Sequence, residues 1–162
     1  RSGAAIACGV LSATAGYRWK GDGTWKALRN GTCPAQIASY QRTLLTHGPE
    51  VVLWTIGALE ATEVMRPNGS VIAAQSAAVR AELTAEIVRR VDQLVAGGVR
   101  WVVFPQWACV GNRAPGSYHT AAYSRFVGSV LREVQVLRPA AASVMPTQAF
   151  LTMVVTASGI GT

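Results

Sequence analysis

The chain offers few residues able to act as a nucleophile with its base. It has three cysteines, Cys8, Cys33 and Cys109, and two histidines, His47 and His119. A cysteine attacks as the thiolate, so it needs a base or a positive setting beside it. Cys109 and His119 are the best-spaced pair, yet the favoured reading is structural: a buried or disulfide-linked cysteine, and a histidine at a helix start. His47 precedes Gly48-Pro49, where it suits the last carbonyls of a helix. Ser117-Tyr118-His119 is too compact for a serine–histidine dyad, and Ser117 suits a helix N-cap. With no C-x-x-C and only two histidines, no zinc pattern exists, and neither metal nor cofactor is expected. The cysteine count leaves two states open, one disulfide plus a thiol or three thiols.

Other residues invite binding rather than catalysis. Gly57-Ala58-Leu59-Glu60 reads either as a turn whose amides face a ligand beside a carboxylate, or as a glycine needed by the turn beside a solvated glutamate. Trp19 and Trp25, in a glycine-rich stretch, and Trp107 could stack on sugar rings, with ordinary loop packing as the alternative. Asn30-Gly31-Thr32 and Asn68-Gly69-Ser70 match the glycosylation pattern but read as turns.

The elements that must position these residues follow from patterning. The chain has 162 residues, 50% hydrophobic and 14% charged, which fits one domain with a real core and excludes a disordered or coiled-coil chain. Ala4 to Leu11 suits a buried strand. Thr14 to Pro34 reads as a long loop, and a helix from Cys33-Pro34 carries Ile37, Tyr40, Leu44 and Leu45 inward until Gly48-Pro49. Glu50 to Gly57 is the clearest strand, apolar on both faces as in the middle of a parallel sheet. Ala58 to Ser70 reads as a loop closed by Pro67-Asn68-Gly69. A helix is expected over Val71 to Val95, with Val79, Leu83, Ile87, Val91, Leu94 and Val95 inward, ended by Gly97-Gly98. Val99 to Phe104 is a strand. The loop from Gln106 to Gly116 follows it, then a helix from Tyr118 to Leu137 with Ala122, Phe126, Val130 and Val134 inward. One more strand fits within Ala140 to Phe150. Strands alternating with helices are α/β logic, and ligands in such sheets bind beyond the carboxyl ends of the strands.

Charge adds little. The net charge is +7, and of the fifteen basic residues only Lys20 and Lys26 are lysines. The arginines are scattered, Arg89-Arg90 being the sole adjacent pair, with no aromatic interleaving, so no nucleic-acid partner is expected. No apolar run approaches the roughly 20 residues that cross a bilayer.

The stretch Pro49-Glu50-Val51-Val52-Leu53-Trp54-Thr55-Ile56-Gly57-Ala58-Leu59-Glu60 resembles a block of the SGNH-hydrolase-like domains found at the extracytoplasmic C-terminal end of membrane acyltransferases. Cys8-Gly9 on an early strand, Cys33 before a helix, Ala96-Gly97-Gly98-Val99-Arg100, a strand running into Pro105 and Cys109, and a helix ending at Arg138-Pro139 match as well. The resemblance covers about residues 4–142. It implies an α/β, three-layer αβα fold with a parallel flavodoxin-like sheet, order 2-1-3-4-5, here lacking its first, central strand. Residues 1–142 would form a partial domain and 143–162 an atypical tail.

The resemblance also implies a site. The family's serine lies in a Gly-Asp-Ser turn and its acid and base in an Asp-x-x-His segment; this chain has neither. Gly21-Asp22-Gly23 lacks the serine, and residues 143–162 contain no Asp or His. Gly9 matches the glycine whose amide binds the oxyanion, and Gly57 and Glu60 match a Gly-x-Asn-Asp block, with Leu59 where the asparagine would donate. Cys8 and Cys33 become a disulfide candidate, two reduced thiols being the alternative. The expectation is a piece of an esterase or O-acyltransferase domain acting on acylated cell-envelope carbohydrate, joined in its parent chain to a membrane acyltransferase domain on the extracytoplasmic face, and silent as it stands. The alternative is a non-catalytic module that binds carbohydrate or protein through Trp25 or Trp107.

Overall fold

The computed structural model describes residues 9–11, 16–21, 23–26, 32–56, 62–106 and 120–146. Its centre is a parallel three-stranded sheet of β3 (Val51–Leu53), β6 (Trp101–Pro105) and β7 (Ala142–Met145), in that order. Val52 pairs with Val102 and Val102 with Ala142, so the strands run in step. Parallel neighbours need a long crossover. Here α2 (Ala77–Ala96) and α3 (Ala121–Leu137) lie within the two connections. The molecule is thus mixed α/β, as the alternation of elements predicts.

Side chains alternate across a strand, so each strand feeds two faces. Val52, Val102, Phe104 and Ala142 turn one way and join Val79, Leu83, Ile87 and Val91 of α2 and Tyr123, Val127, Val130, Leu131 and Val134 of α3 in one core. Val51, Leu53, Trp101, Val103 and Ser143 turn the other way. On that second face Trp101 Nε1 donates to Ser143 Oγ at 2.9 Å. Val51 and Leu53 remain 54% and 49% exposed, and among the described residues β3 is an edge strand. The expectation of a central strand buried on both faces fails here, because a run of apolar residues does not say which face a helix will cover.

Helix ends follow their capping residues. Ser76 accepts from Val79 N–H at 3.3 Å and starts α2 at Ala77, six residues after the expected Val71. Val71 and Ile72 are instead strand β5. α2 ends as Gly97-Gly98 predicts: Gly98, at φ +98°, donates to Val95 O while Val99 donates to Leu94 O. The expected stripe of α2 is buried except Val95, 41% exposed. Thr120 caps α3 by accepting from Tyr123 N–H at 3.1 Å, so that helix also starts later than Tyr118. Its buried face holds Tyr123, Val127 and Leu131, whereas Ala122 is exposed and Phe126 half-buried. α1 (Thr32–Thr46) leans on the core through Leu44 and Leu45 and leaves Tyr40 exposed.

Three strands of a second sheet fall in two segments expected to be loops, and its fourth, β5, falls at the expected start of α2. β1 (Arg18–Gly21) and β2 (Thr24–Lys26) form a hairpin inside Thr14 to Pro34, and β4 (Val64–Met65) pairs with β1 and with β5. All pairings are antiparallel, in the order β2-β1-β4-β5. Strands of two to four residues carry too little alternation to announce themselves in a glycine-rich sequence.

Candidate functional site

The place for a ligand in a parallel sheet is the carboxyl end of its strands. At that end Trp54 N–H donates to Val103 O at 2.9 Å and Gln106 N–H to Met145 O at 2.8 Å, extending the ladders past β3 and β6. The Trp54 and Phe104 rings meet with centroids 5.5 Å apart, and Ile56 is 1% exposed. β4 and β5 come between β3 and α2 in the chain. Val64 and Ile72 turn inward with 0% and 3% exposure, and Ile72 shares the core with Val10, Leu11 and Ile56.

Charged side chains fasten that sheet to α2. Tyr17 donates to Glu82 Oε2 at 3.0 Å, and Arg66 Nε donates to Glu82 Oε1 at 2.6 Å. Burial and then the bond to Glu82 push the Tyr17 phenol above its ordinary value. Arg66 also reaches Ser70 across the Pro67-Asn68-Gly69 turn, where Asn68 Oδ1 accepts from Ser70 N–H at 3.0 Å. Gly16 meets Pro67 of that turn: at φ +87° any Cβ there would stand 2.9 Å from the proline Cβ, so both conformation and space demand glycine. One turn further along α2, Glu86 accepts from Arg89 and Arg90. Burial works against ionising Glu86, but the bonds and charges of those two arginines outweigh it and hold the carboxyl below its usual range.

These contacts are structural in kind. His47, the one histidine among the described residues, is exposed just past α1, its backbone N–H donating to Leu44 O. Among the described residues no His, Cys, Asp and Glu side chains gather in threes to hold a metal. Gly9 is buried beside Val10 and Leu11. Trp25 stands on β2 opposite Lys20, whose Nζ lies 5.7 Å from its ring centre. Cys33 falls in the first turn of α1. Gly57, Glu60, Trp107, Cys8, Cys109 and His119 lie outside the described residues, and with Cys8 the candidate disulfide. Among the described residues, Gly9 lies before β1, Trp25 on β2, and Cys33 and His47 at opposite ends of α1.

Sequence reasoning missed Tyr17, Arg66, Glu82, Glu86 and Arg90. Glu86 and Arg90 carry a legible signal, opposite charges four apart on a helix. Tyr17 and Glu82 are 65 positions apart and carry none.

Compared with protein-family models, with curated proteins and with solved structures, the chain matches none. No helix among the described residues is long and apolar enough to cross a membrane.

Proposed function

We propose that the chain is part of an SGNH-type esterase or O-acyltransferase domain acting on cell-envelope carbohydrate esters, and that it is catalytically silent alone. The observation carrying this reading is the sheet formed by the residues of the resemblance. Val51–Leu53 and Trp101–Pro105 lie side by side and parallel, with β7 next and helices within the connections. That sequential order is the one expected of the last three strands of a flavodoxin-like sheet, and the edge of β3 that is unpaired among the described residues is where its first, central strand would pair. A three-layer arrangement would then place further helices over Val51 and Leu53.

In the complete enzyme a serine activated by histidine takes the acyl group, while amides at the Gly9 and Gly57 positions stabilise the oxyanion. The domain works on the extracytoplasmic face as an appendage of a membrane acyltransferase. The test is p-nitrophenyl acetate hydrolysis by the chain alone and by the chain extended with its flanking coding sequence. The chain alone is expected to show none and the extended protein to turn over. Absence of turnover in the extended protein, or turnover by the chain alone that survives both Cys109→Ala and His119→Ala, overturns the reading.

A second reading is favoured by Trp25, half-buried on a sheet surface: a non-catalytic module binding carbohydrate. A glycan-binding screen of the chain decides it, positive binding without hydrolysis in either protein supporting this reading over the first.

A further inference from the structure

The antiparallel sheet has two unlike faces. The pairings Trp19↔Lys26, Trp19↔Val64 and Val64↔Ile72 put these residues on one face, which Val64 and Ile72 bury. The pairings Lys20↔Trp25, Arg18↔Met65 and Met65↔Val71 put the other set outside. The outer face thus carries a half-buried tryptophan, a half-buried methionine, a valine 48% exposed, and two cations. Lys20 is ion-paired with Glu63, and its ammonium also faces the Trp25 ring at 5.7 Å. Arg18 is exposed and has no ion pair among the described residues.

We propose that this outer face binds an acidic polysaccharide, a chain of uronic-acid sugars, with Trp25 as the stacking platform and Arg18 as the carboxylate ligand; the proposal rests on the second reading above. The physical fit is one of pairing. A uronate presents one flat C–H face and one carboxylate per ring. Trp25 and Arg18, diagonal neighbours on adjacent strands about 7–8 Å apart, offer one ring and one guanidinium within reach of the same sugar. The ion pairing of Lys20 with Glu63 and its stacking on Trp25 hold the platform in place before a ligand arrives, lowering the entropy cost of binding. A net charge of +7 draws a polyanion toward the protein. Single-stranded nucleic acid fits less well, since it needs successive stacking rings and a track of cations, and among the described residues this face has one aromatic ring and one cation without an ion pair.

Titration calorimetry of the whole chain with hexagalacturonate, cellohexaose and a six-residue deoxythymidine oligonucleotide tests it. Hexagalacturonate is expected to bind, with affinity falling about tenfold in Trp25→Ala and in Arg18→Ala and less than about twofold in Arg42→Ala, which removes the same charge from the exposed surface of α1. Arg18 is exposed, so its variant folds normally and keeps the test valid should Trp25→Ala misfold. Equal losses in Arg42→Ala and Arg18→Ala would show a charge effect alone and overturn the proposal. So would tighter binding of the oligonucleotide. Equal binding of cellohexaose, lost in Trp25→Ala, would overturn the acidic specificity while leaving the carbohydrate reading standing; no binding of any ligand would remove both.

Discussion

Arg90 reaches back one turn along α2 to donate its Nε–H to Glu86 Oε1 at 2.7 Å, and the two side chains keep only 9% and 10% of their exposure. Arg89 adds two bonds of 2.7 Å to the same carboxylate from the solvent side. A carboxylate taken out of water stays ionised only with such company, and the arginine beside it depends on it equally.

Glu86→Gln is therefore expected to cost about 3 kcal/mol at neutral pH by leaving Arg90 buried beside a neutral group. Because the folded state holds the Glu86 carboxyl below its unfolded value, the stabilisation is present above that value and fades as pH falls through the lower, folded one. Urea unfolding across the acid range should show wild-type stability declining toward low pH and a shallower decline in the variant. Parallel curves would refute this role.

Tyr17 gives the opposite sign. Its phenol is raised in the folded state, so its contribution holds below the ordinary tyrosine range, near pH 10, and disappears as pH climbs through the raised value. Tyr17→Phe should cost about 1 kcal/mol at neutral pH, the worth of one bond to Glu82, since Arg66 still holds that carboxylate. Ultraviolet difference titration of the variant should lose one phenol that ionises above the ordinary tyrosine range. If the variant titrates like wild type, the assignment is wrong.

At the C-terminal end of α2, space rather than charge decides. A Cβ on Gly97 would stand 2.6 and 2.7 Å from the two Leu45 methyls, joining the ends of α1 and α2. Gly97→Ala should destabilise by about 1–2 kcal/mol through overpacking, and much less when Leu45 is already alanine. Additive losses in that double-mutant cycle would show the two positions to be uncoupled.

Thr84 sits in α2 at 4% exposure with its hydroxyl unpartnered among the described residues. A buried hydroxyl without a bond is a liability of about 1 kcal/mol or more. Thr84→Val, which keeps the shape, should raise the thermal midpoint; a lower midpoint would mean that the hydroxyl is satisfied in solution.

The sequence announced the elements whose length exceeds their period. The helices at Val79 to Leu94 and Val127 to Val134, the strands around Val52 and Val102, and the stop at Gly97-Gly98 were all legible, because each repeats its pattern or carries a cap. The hairpin at Trp19 and Trp25 was not, since three or four residues among glycines give no period. Nor was the exposure of Val51 and Leu53, which depends on what lies over the sheet. Of the candidate binding residues, Trp25 is described, half-buried on β2, and Trp107 lies outside the described residues. Gly9 is buried in the core, and the bonds among Tyr17, Arg66 and Glu82 join residues too far apart in the chain for spacing to reveal.

β6 lies between β3 and β7, laddered on both sides, with Val102 and Phe104 at 0% exposure. Its amides have no local route to solvent, so deuterium can enter at Val102 to Phe104 only when the whole molecule opens. Label uptake at those few positions is consequently a direct reading of global stability. The short hairpin at the periphery should exchange long before, through openings that leave the centre intact.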